Sequence, residues 1–348
     1  MTGFAFAIPG DIELATGGYG YDRRVMAEWR AAGHAFDHVV LPGGFPFPTS
    51  DELATATRRL DELPPGRPVL IDGLALGALP ADLLRRLGRP VVALVHHPLA
   101  LETGLDDRRR SSLLASERAA LAETVAVIAT SASTARIVEE DYGVAPGRVT
   151  VAEPGTDRRP RAHGSGRPAR LLSVGAVIPR KAHGALVEAL ARLSALDWTC
   201  HIVGPIDRDA DEVRAVERRI ASLGLGDRIV LTGAISEAAL AREFDAADLY
   251  VSASLFEGYG MALAEALAHG LAIVATRAGA IPHTVPPEAA VLTTPGDVDG
   301  LAEAIRTLLT RPDRRRQLAD HAWRHAQSLP TWAQTAATIL QPLREAGR

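Results

Sequence analysis

The sequence predicts an α/β protein made of two successive Rossmann-like, doubly wound domains. Three observations carry this reading. The apolar residues switch repeatedly between the two-residue period of a strand and the 3.6-residue period of a helix. That alternation stops once, between Thr156 and Arg170, and then resumes over a stretch of similar length. A chain of 348 residues also accommodates two domains of about 150 residues each. Strands alternating with helices imply βαβ units, hence a parallel sheet with helices on both faces.

The first half opens with a strand over 4–8, a Gly-rich turn, and a helix over about 21–32 that Gly33 stops. A strand over 36–41, a helical run over 51–60, a strand over 68–71 and a short helix over 82–87 follow. Strands over 91–95, 125–130 and 149–152 then alternate with helices over 108–121 and 133–141. Residues 156–170 have no apolar period, are dense in Arg, Gly and Pro, and read as a linker. The second half repeats the scheme. Its strands are expected over 170–174, 199–203, 228–231, 249–252, 272–275 and 289–292. Its helices are expected over 184–193, 209–223, 238–246, 261–269 and 298–309. The tail over 314–347 reads as helical, is broken by Pro330, and is expected to cross back onto the first domain. The resulting division is 1–160, 161–329 and a C-terminal helix within 330–348.

Composition excludes several classes. Hydrophobic residues at 47% and charged residues at 23% rule out disorder as the main state. A formal charge of -4 argues against nucleic acid as a partner. The single cysteine, Cys200, excludes a disulfide framework and a cysteine zinc cluster. The N-terminal residues lack a basic region and a long apolar run, and no window offers about 18 apolar residues, so the expectation is a cytoplasmic protein. Membrane association is not indicated: Arg108-Arg109-Arg110 is a short run preceded by Asp106-Asp107 and reads as a solvated helix start. One lysine, Lys181, stands among 38 Lys and Arg residues, and arginine does not supply the same compact point charge.

In open α/β sheets, ligands bind at the carboxyl ends of the strands. Five segments and one Gly-Pro pair fall there. In Ser254-Leu-Phe-Glu-Gly-Tyr-Gly-Met-Ala-Leu-Ala-Glu265, Gly258 and Gly260 let the backbone approach a ligand, with Tyr259 and Met261 beside them. The free N–H groups of the following helix favour an anion. Glu257 and Glu265, flanking that terminus, suit the binding of sugar hydroxyls, which donate to carboxylates. In Ser173-Val-Gly-Ala-Val-Ile-Pro-Arg-Lys-Ala-His-Gly184, Gly175 permits a tight exit from the strand. Arg180 and Lys181 add positive charge suited to a leaving diphosphate. In Ala15-Thr-Gly-Gly-Tyr-Gly-Tyr-Asp-Arg-Arg24, backbone amides near Gly18 can reach a phosphate, and Tyr19, Tyr21, Asp22 and Arg23 are candidate acceptor contacts. His96-His97 closes a strand, and adjacent side chains there face opposite ways, which disfavours a shared metal. His97 or Glu102 is a candidate for facing the acceptor. Gly204-Pro205 lies at the same rim and lines a candidate base pocket. The segment Thr276-Arg-Ala-Gly-Ala-Ile-Pro-His283 offers no assignable role.

Glu257 to Glu265, with Phe256 and Gly258 beside the first acid, resembles the E-x7-E signature of GT-B glycosyltransferases, in particular the large retaining family four. The likeness extends along nearly the whole chain, including Gly33-His34. It implies the GT-B arrangement of two domains facing across a cleft. It implies that Glu257 contacts the hydroxyls of the donor sugar, Glu265 the nucleotide ribose, and Lys181 the diphosphate. His96 matches the histidine that lies near the reacting sugar. The family's usual arginine after Gly175 is replaced by Ala176. The implied activity is retaining, metal-independent hexosyl transfer. The donor is a nucleotide-diphosphate sugar (UDP or GDP), and the acceptor is a small molecule, a glycan or a lipid-linked species. No cofactor or metal is implied. The rival readings are a sugar-nucleotide epimerase of the same fold, a pyridoxal-phosphate phosphorylase with Lys181 as its only Schiff-base candidate, and a non-catalytic sugar-nucleotide binder. Motifs of zinc proteases, P-loop NTPases, nucleophile-elbow hydrolases and dinucleotide-binding dehydrogenases are absent.

Overall fold

The computed structural model describes residues 3–347. The readings that touch Met1, Thr2 and Arg348 lie outside the described residues. The chain divides into two compact units: unit 1 runs to Gly155 and resumes from Pro330, and unit 2 is Thr156–Leu329.

Unit 1 begins with β1 (Phe4–Pro9), α1 (Gly17–Ala31), β2 (Phe36–Leu41), α2 (Ser50–Asp61), β3 (Val69–Asp72), α3 (Gly73–Leu76) and α4 (Ala81–Arg86). It continues with β4 (Val91–Val95), α5 (Asp107–Ala122), β5 (Ala126–Ala129), α6 (Ala132–Glu140) and β6 (Val149–Val151). The sheet is parallel throughout, with strand order β2-β1-β3-β4-β5-β6. Strands β1, β3 and β4 are buried along their whole length, which matches their unbroken apolar runs and the cover expected on both faces of a parallel sheet.

Unit 2 contains β7 (Ala169–Val174), α7 (His183–Ala191), β8 (Trp198–Val203), α8 (Ala210–Ser222), β9 (Ile229–Gly233), α9 (Glu237–Ala246) and β10 (Leu249–Ser252). It continues with α10 (Met261–Ala268), β11 (Ile273–Thr276), α11 (Ile281–Thr284), β12 (Ala290–Thr293), α12 (Val298–Thr310) and α13 (Pro312–Ala326). Its parallel sheet has the order β12-β11-β10-β7-β8-β9, so the strand sequence reverses direction between β7 and β10. In unit 1 the same reversal falls between β1 and β3. Such switch points open a crevice at the strand ends, because the connections on either side depart in opposite directions.

The last helix, α14 (Trp332–Ala346), belongs to unit 1 and packs on α1. Trp29 Nε1 donates to Ala336 O at 2.9 Å, and Thr335 Oγ1 donates to Glu153 O at 2.7 Å. A capping box at Thr331 and Gln334 starts this helix directly after Pro330.

Two expectations are corrected. The turn after β1 is shorter than its glycines suggest. Thr16 caps α1, accepting from Tyr19 N, so Gly17, Gly18 and Gly20 lie in its first turn. A good cap outweighs the poor helix propensity of glycine there. The stretch read as a linker is attached to unit 2. Ala162 N donates to His269 O at 2.8 Å and His163 N to Asp245 O at 2.9 Å. Arg158 reaches Leu329 O at 3.0 Å, and Arg161 pairs with Asp320 at 2.7 Å. Its arginines look solvated in sequence because their carbonyl and carboxylate partners are far along the chain.

Candidate functional site

In unit 2 the two segments leaving the switch-point strands meet. After β7 the chain runs through Gly175 to a short 3-10 turn, Pro179–Lys181. After β10 it runs through Ser254 and Glu257 to Gly260. Lys181 Nζ donates to Glu257 Oε1 at 2.6 Å, and Ser254 Oγ donates to the same oxygen at 2.7 Å. Arg180 Nη1 donates to Phe256 O at 2.9 Å and lies 3.5 Å from Glu257 Oε2. Leu255 N donates to Arg180 O at 2.8 Å, so main chain and side chains tie the two loops together. Glu257 is buried. Burial alone would raise its pKa, but Lys181 and then Arg180 outweigh this and hold the carboxyl below its ordinary value.

Backbone geometry brings these loops close. Gly204, after β8, passes Gly175 so tightly that a β-carbon there would lie 2.2 Å from Gly175 O. Ala182, between Lys181 and α7, adopts a left-handed conformation at φ 49°, unfavourable for a residue with a β-carbon. Helices α8, α9 and α12 are capped by the side chains of Asp209, Ser236 and Asp297. Helices α7 and α10, which begin beside Lys181 and Glu257, have no side-chain cap. Their first N–H groups are therefore donors available to an anion. Met261 opens α10, and Glu265 lies one turn inside it, half-buried.

His183, the first residue of α7, is buried, and its Nδ1 has no hydrogen-bond partner. Burial, with Lys181 adding to it, pushes its pKa down to about 3. A histidine depressed in the folded state stabilises above its unfolded pKa of about 6.5, and that stability is lost as pH falls from there toward 3. Unfolding by urea is expected to show about 2 kcal/mol less stability at pH 5 than at pH 7 from this group. His183→Gln is expected to flatten that difference, and an identical pH dependence in parent and variant would refute it.

Unit 1 places its predicted residues differently. Tyr21 is a core residue, its hydroxyl donating to Ala152 O at 2.9 Å, so it does not present itself to an acceptor. Tyr19 donates to Pro9 O, and Arg23 binds the carbonyls of Ile12 and Leu14, fixing the loop after β1. Asp22 is completely buried and faces Asp72 and His96 rather than the surface. The inward placement of Tyr21 and Asp22 has one cause: the helix starts at Gly17, which turns both side chains toward the core. Gly18 lies against the His96 ring. His97 Nε2 and Glu102 Oε2 are 3.3 Å apart, paired with each other.

Sequence reading gave no role to three residues that the structure brings to these groups. Asp72 meets His96, Ser254 bonds Glu257, and Gly279 packs on the Glu257 main chain. Ser254 and Gly279 lay inside the segments 254–265 and 276–283 marked at strand ends, whereas Asp72 carried no signal.

Two family models match adjoining parts of the chain: Glycosyltransferase Family 4 over residues 18–159 and Glycosyl transferases group 1 over residues 156–325. The MMP alpha-(1->4)-mannosyltransferase of Mycolicibacterium hassiacum is 29% identical over 73% of this chain. The D-inositol 3-phosphate glycosyltransferase of Geodermatophilus obscurus is 31% identical over 69% of it. The matched stretches span 65% and 57% of those relatives. Among solved structures, sucrose-phosphate synthase from Thermosynechococcus elongatus superposes with a TM-score of 0.82 at 21% identity, covering 98% of each chain. Anabaena HepE in complex with UDP-glucose superposes with a TM-score of 0.80 at 18% identity, covering 98% of this chain and 99% of its own. With the fold matching GT-B glycosyltransferases and the two models together spanning residues 18–325, the chain belongs to the group 1 glycosyl transferases.

Proposed function

We propose that the protein is a retaining glycosyltransferase that moves a hexose from a nucleotide-diphosphate sugar to an acceptor hydroxyl without a metal ion. The observation that carries this reading is the buried Glu257 paired with the half-buried Lys181 and Arg180, beside two uncapped helix N-termini at the unit 2 switch point. Without donor, the cations and the carboxylate satisfy one another. A bound donor substitutes its own partners: pyrophosphate oxygens accept from Lys181, Arg180 and the helix N–H groups, and sugar hydroxyls donate to Glu257. Glu265 holds the ribose, and the backbone from Gly258 to Met261 lies along the phosphates. Gly175 and Gly204 keep the loops low enough for that approach.

As the C1–O bond to the diphosphate breaks, negative charge grows on the leaving oxygen. Fixed positive groups at that point lower the barrier more than they stabilise the bound ground state. The departing phosphate accepts the acceptor's proton as the new glycosidic bond forms on the same face. No cation beyond Lys181, Arg180 and the helix termini is required. His96 and the pair His97–Glu102 are the unit 1 groups assigned to the sugar and the acceptor. The UDP-glucose complex of HepE supports a nucleotide-sugar donor, and the names of the curated relatives support glycosyl transfer.

Thermal unfolding in the presence of UDP- and GDP-sugars tests donor binding. At a ligand concentration a hundredfold above Kd the folded state gains about 2.7 kcal/mol, expected as a rise of several degrees. A flat response to every nucleotide sugar would remove the donor site. Product analysis with donor alone then separates transfer from epimerisation, which needs no acceptor.

A further inference from the structure

Unit 1 contains a buried ionisable cluster whose two carboxylates have no part in the donor contacts proposed above. Asp22 on α1, Asp72 at the end of β3 and His96 just after β4 converge where the strand order of the first sheet reverses. His96 Nε2 lies 3.2 Å from Asp22 Oδ1 and 3.2 Å from Asp72 Oδ2. Apart from this pairing with His96, neither oxygen of Asp22 has a hydrogen-bond partner among the described residues, although the side chain is completely buried. Asp72 uses its other oxygen to cap α3, accepting from Leu74 N at 2.8 Å. Two carboxylates out of water need a compensating positive charge, and the imidazole between them is the group placed to supply it.

The ring is fixed from its other sides. Tyr21 packs edge-on against it at 5.2 Å between centroids. Gly18 covers the Nε2 edge, where a β-carbon would stand 3.2 Å from Cδ2 and 3.4 Å from Nε2. Nε2 itself is fully covered, yet the His96 side chain keeps 19% of its exposure. The open part is therefore the opposite edge, which includes Nδ1.

We propose that Asp22 and Asp72 are positioning residues that hold His96 as an imidazolium and present its Nδ1–H outward as a fixed donor to a substrate oxygen. The donor role rests on the functional reading that puts His96 against the sugar. A permanently charged imidazole has no free lone pair, so His96 orients the substrate and takes no proton from the acceptor. The titratable groups facing it are Asp22 and Tyr21 from α1 and Asp72 from β3. Burial raises the Tyr21 phenol well above its ordinary value, so that group stays neutral. For His96, burial opposes the charge, but the two carboxylates prevail and lift the pKa to about 10. Burial raises Asp22 to about 7, with His96 pulling it back down.

One ligand atom from each of the three side chains also lies within 4.8 Å of the others, a spacing that a metal ion could share. Long-range proton–nitrogen correlation spectra of the full chain labelled at histidine, recorded from pH 5 to 10, decide between these states. The His96 imidazolium pattern is expected to persist above pH 8, and Asp22→Asn is expected to bring its midpoint to 7 or below. A parent midpoint below 7 would overturn the proposal. So would a midpoint unmoved in both Asp22→Asn and Asp72→Asn, or displacement of the His96 proton by micromolar zinc. The parent measurement stands even where a variant fails to fold. In turnover, kcat/KM of the parent is expected to stay flat from pH 6 to 8, while Asp22→Asn loses about tenfold as pH rises. Unchanged turnover in His96→Gln would overturn the substrate contact while leaving the protonation result to stand on its own.

Discussion

Lys181→Ala is expected to lower turnover by about 100- to 1,000-fold, the scale of losing one preorganised group at a developing negative charge. The substitution removes a cation that lies 2.6 Å from Glu257 and leaves that buried carboxylate with Arg180 and Ser254. Glu257 is then expected to shift toward protonation, because burial is no longer outweighed by its strongest partner. Both changes act in the same direction: the diphosphate loses a clamp and the sugar loses a charged acceptor. Lys181→Arg separates charge from shape, since a planar guanidinium cannot place one compact charge in the space beside Gly175. Its turnover is expected between that of Lys181→Ala and the parent. Steady-state rates with saturating donor make the comparison, after the folded fraction of each variant has been measured by unfolding. If Lys181→Ala turns over within a few fold of the parent, the clamp assignment is wrong.

Gly279→Ala is expected to cost about 2–4 kcal/mol of stability and at least tenfold in turnover, although residue 279 carries no side chain to contribute. Its φ of 56° is left-handed, which costs a residue with a β-carbon about 1–2 kcal/mol. The added carbon would also lie 2.3 Å from Glu257 O and 2.9 Å from Glu257 N. Those are main-chain atoms, so relief requires moving the loop, and overpacking of this kind costs about 1–3 kcal/mol. The next residue holds the same loop, Ala280 N donating to Glu257 O at 2.9 Å. Any displacement therefore passes directly to the carboxylate. Gly296→Ala is the control. It has a φ of 80° with nothing within 4 Å of a new β-carbon, so it carries the conformational penalty without the collision. Equal losses in the two variants, measured by urea unfolding and by donor affinity, would show that Gly279 does not support Glu257.

Much of the fold is legible in the order of residues. The strand Leu249–Ser252 lies where the apolar run and its flanking breaks put it, and most other elements differ only by a residue or two at their ends. Where reading failed, the cause is physical. Glycines 17, 18 and 20 look like a loop until the Thr16 cap is seen to start the helix early. The four-residue helices α3 and α11 carry too few turns to show a period. The arginines of 158–161 resemble linker residues because their partners, Leu329 and Asp320, lie far along the chain.

Residue order alone predicts the alternation of strand and helix, and with it two parallel sheets and the strand-end rims at which open α/β sheets take ligands. It also marked Lys181, Glu257 and Glu265 by residue type at strand ends. Which of these groups meet was settled by the packing of the folded chain. It joined Lys181, Arg180, Ser254 and Glu257 across the β7–β10 switch point, and it turned Asp22 inward onto Asp72 and His96. The reason is that periodicity and capping act over a few neighbouring residues. Which distant strand ends become neighbours is set by the order in which strands pair, and no local pattern records that order.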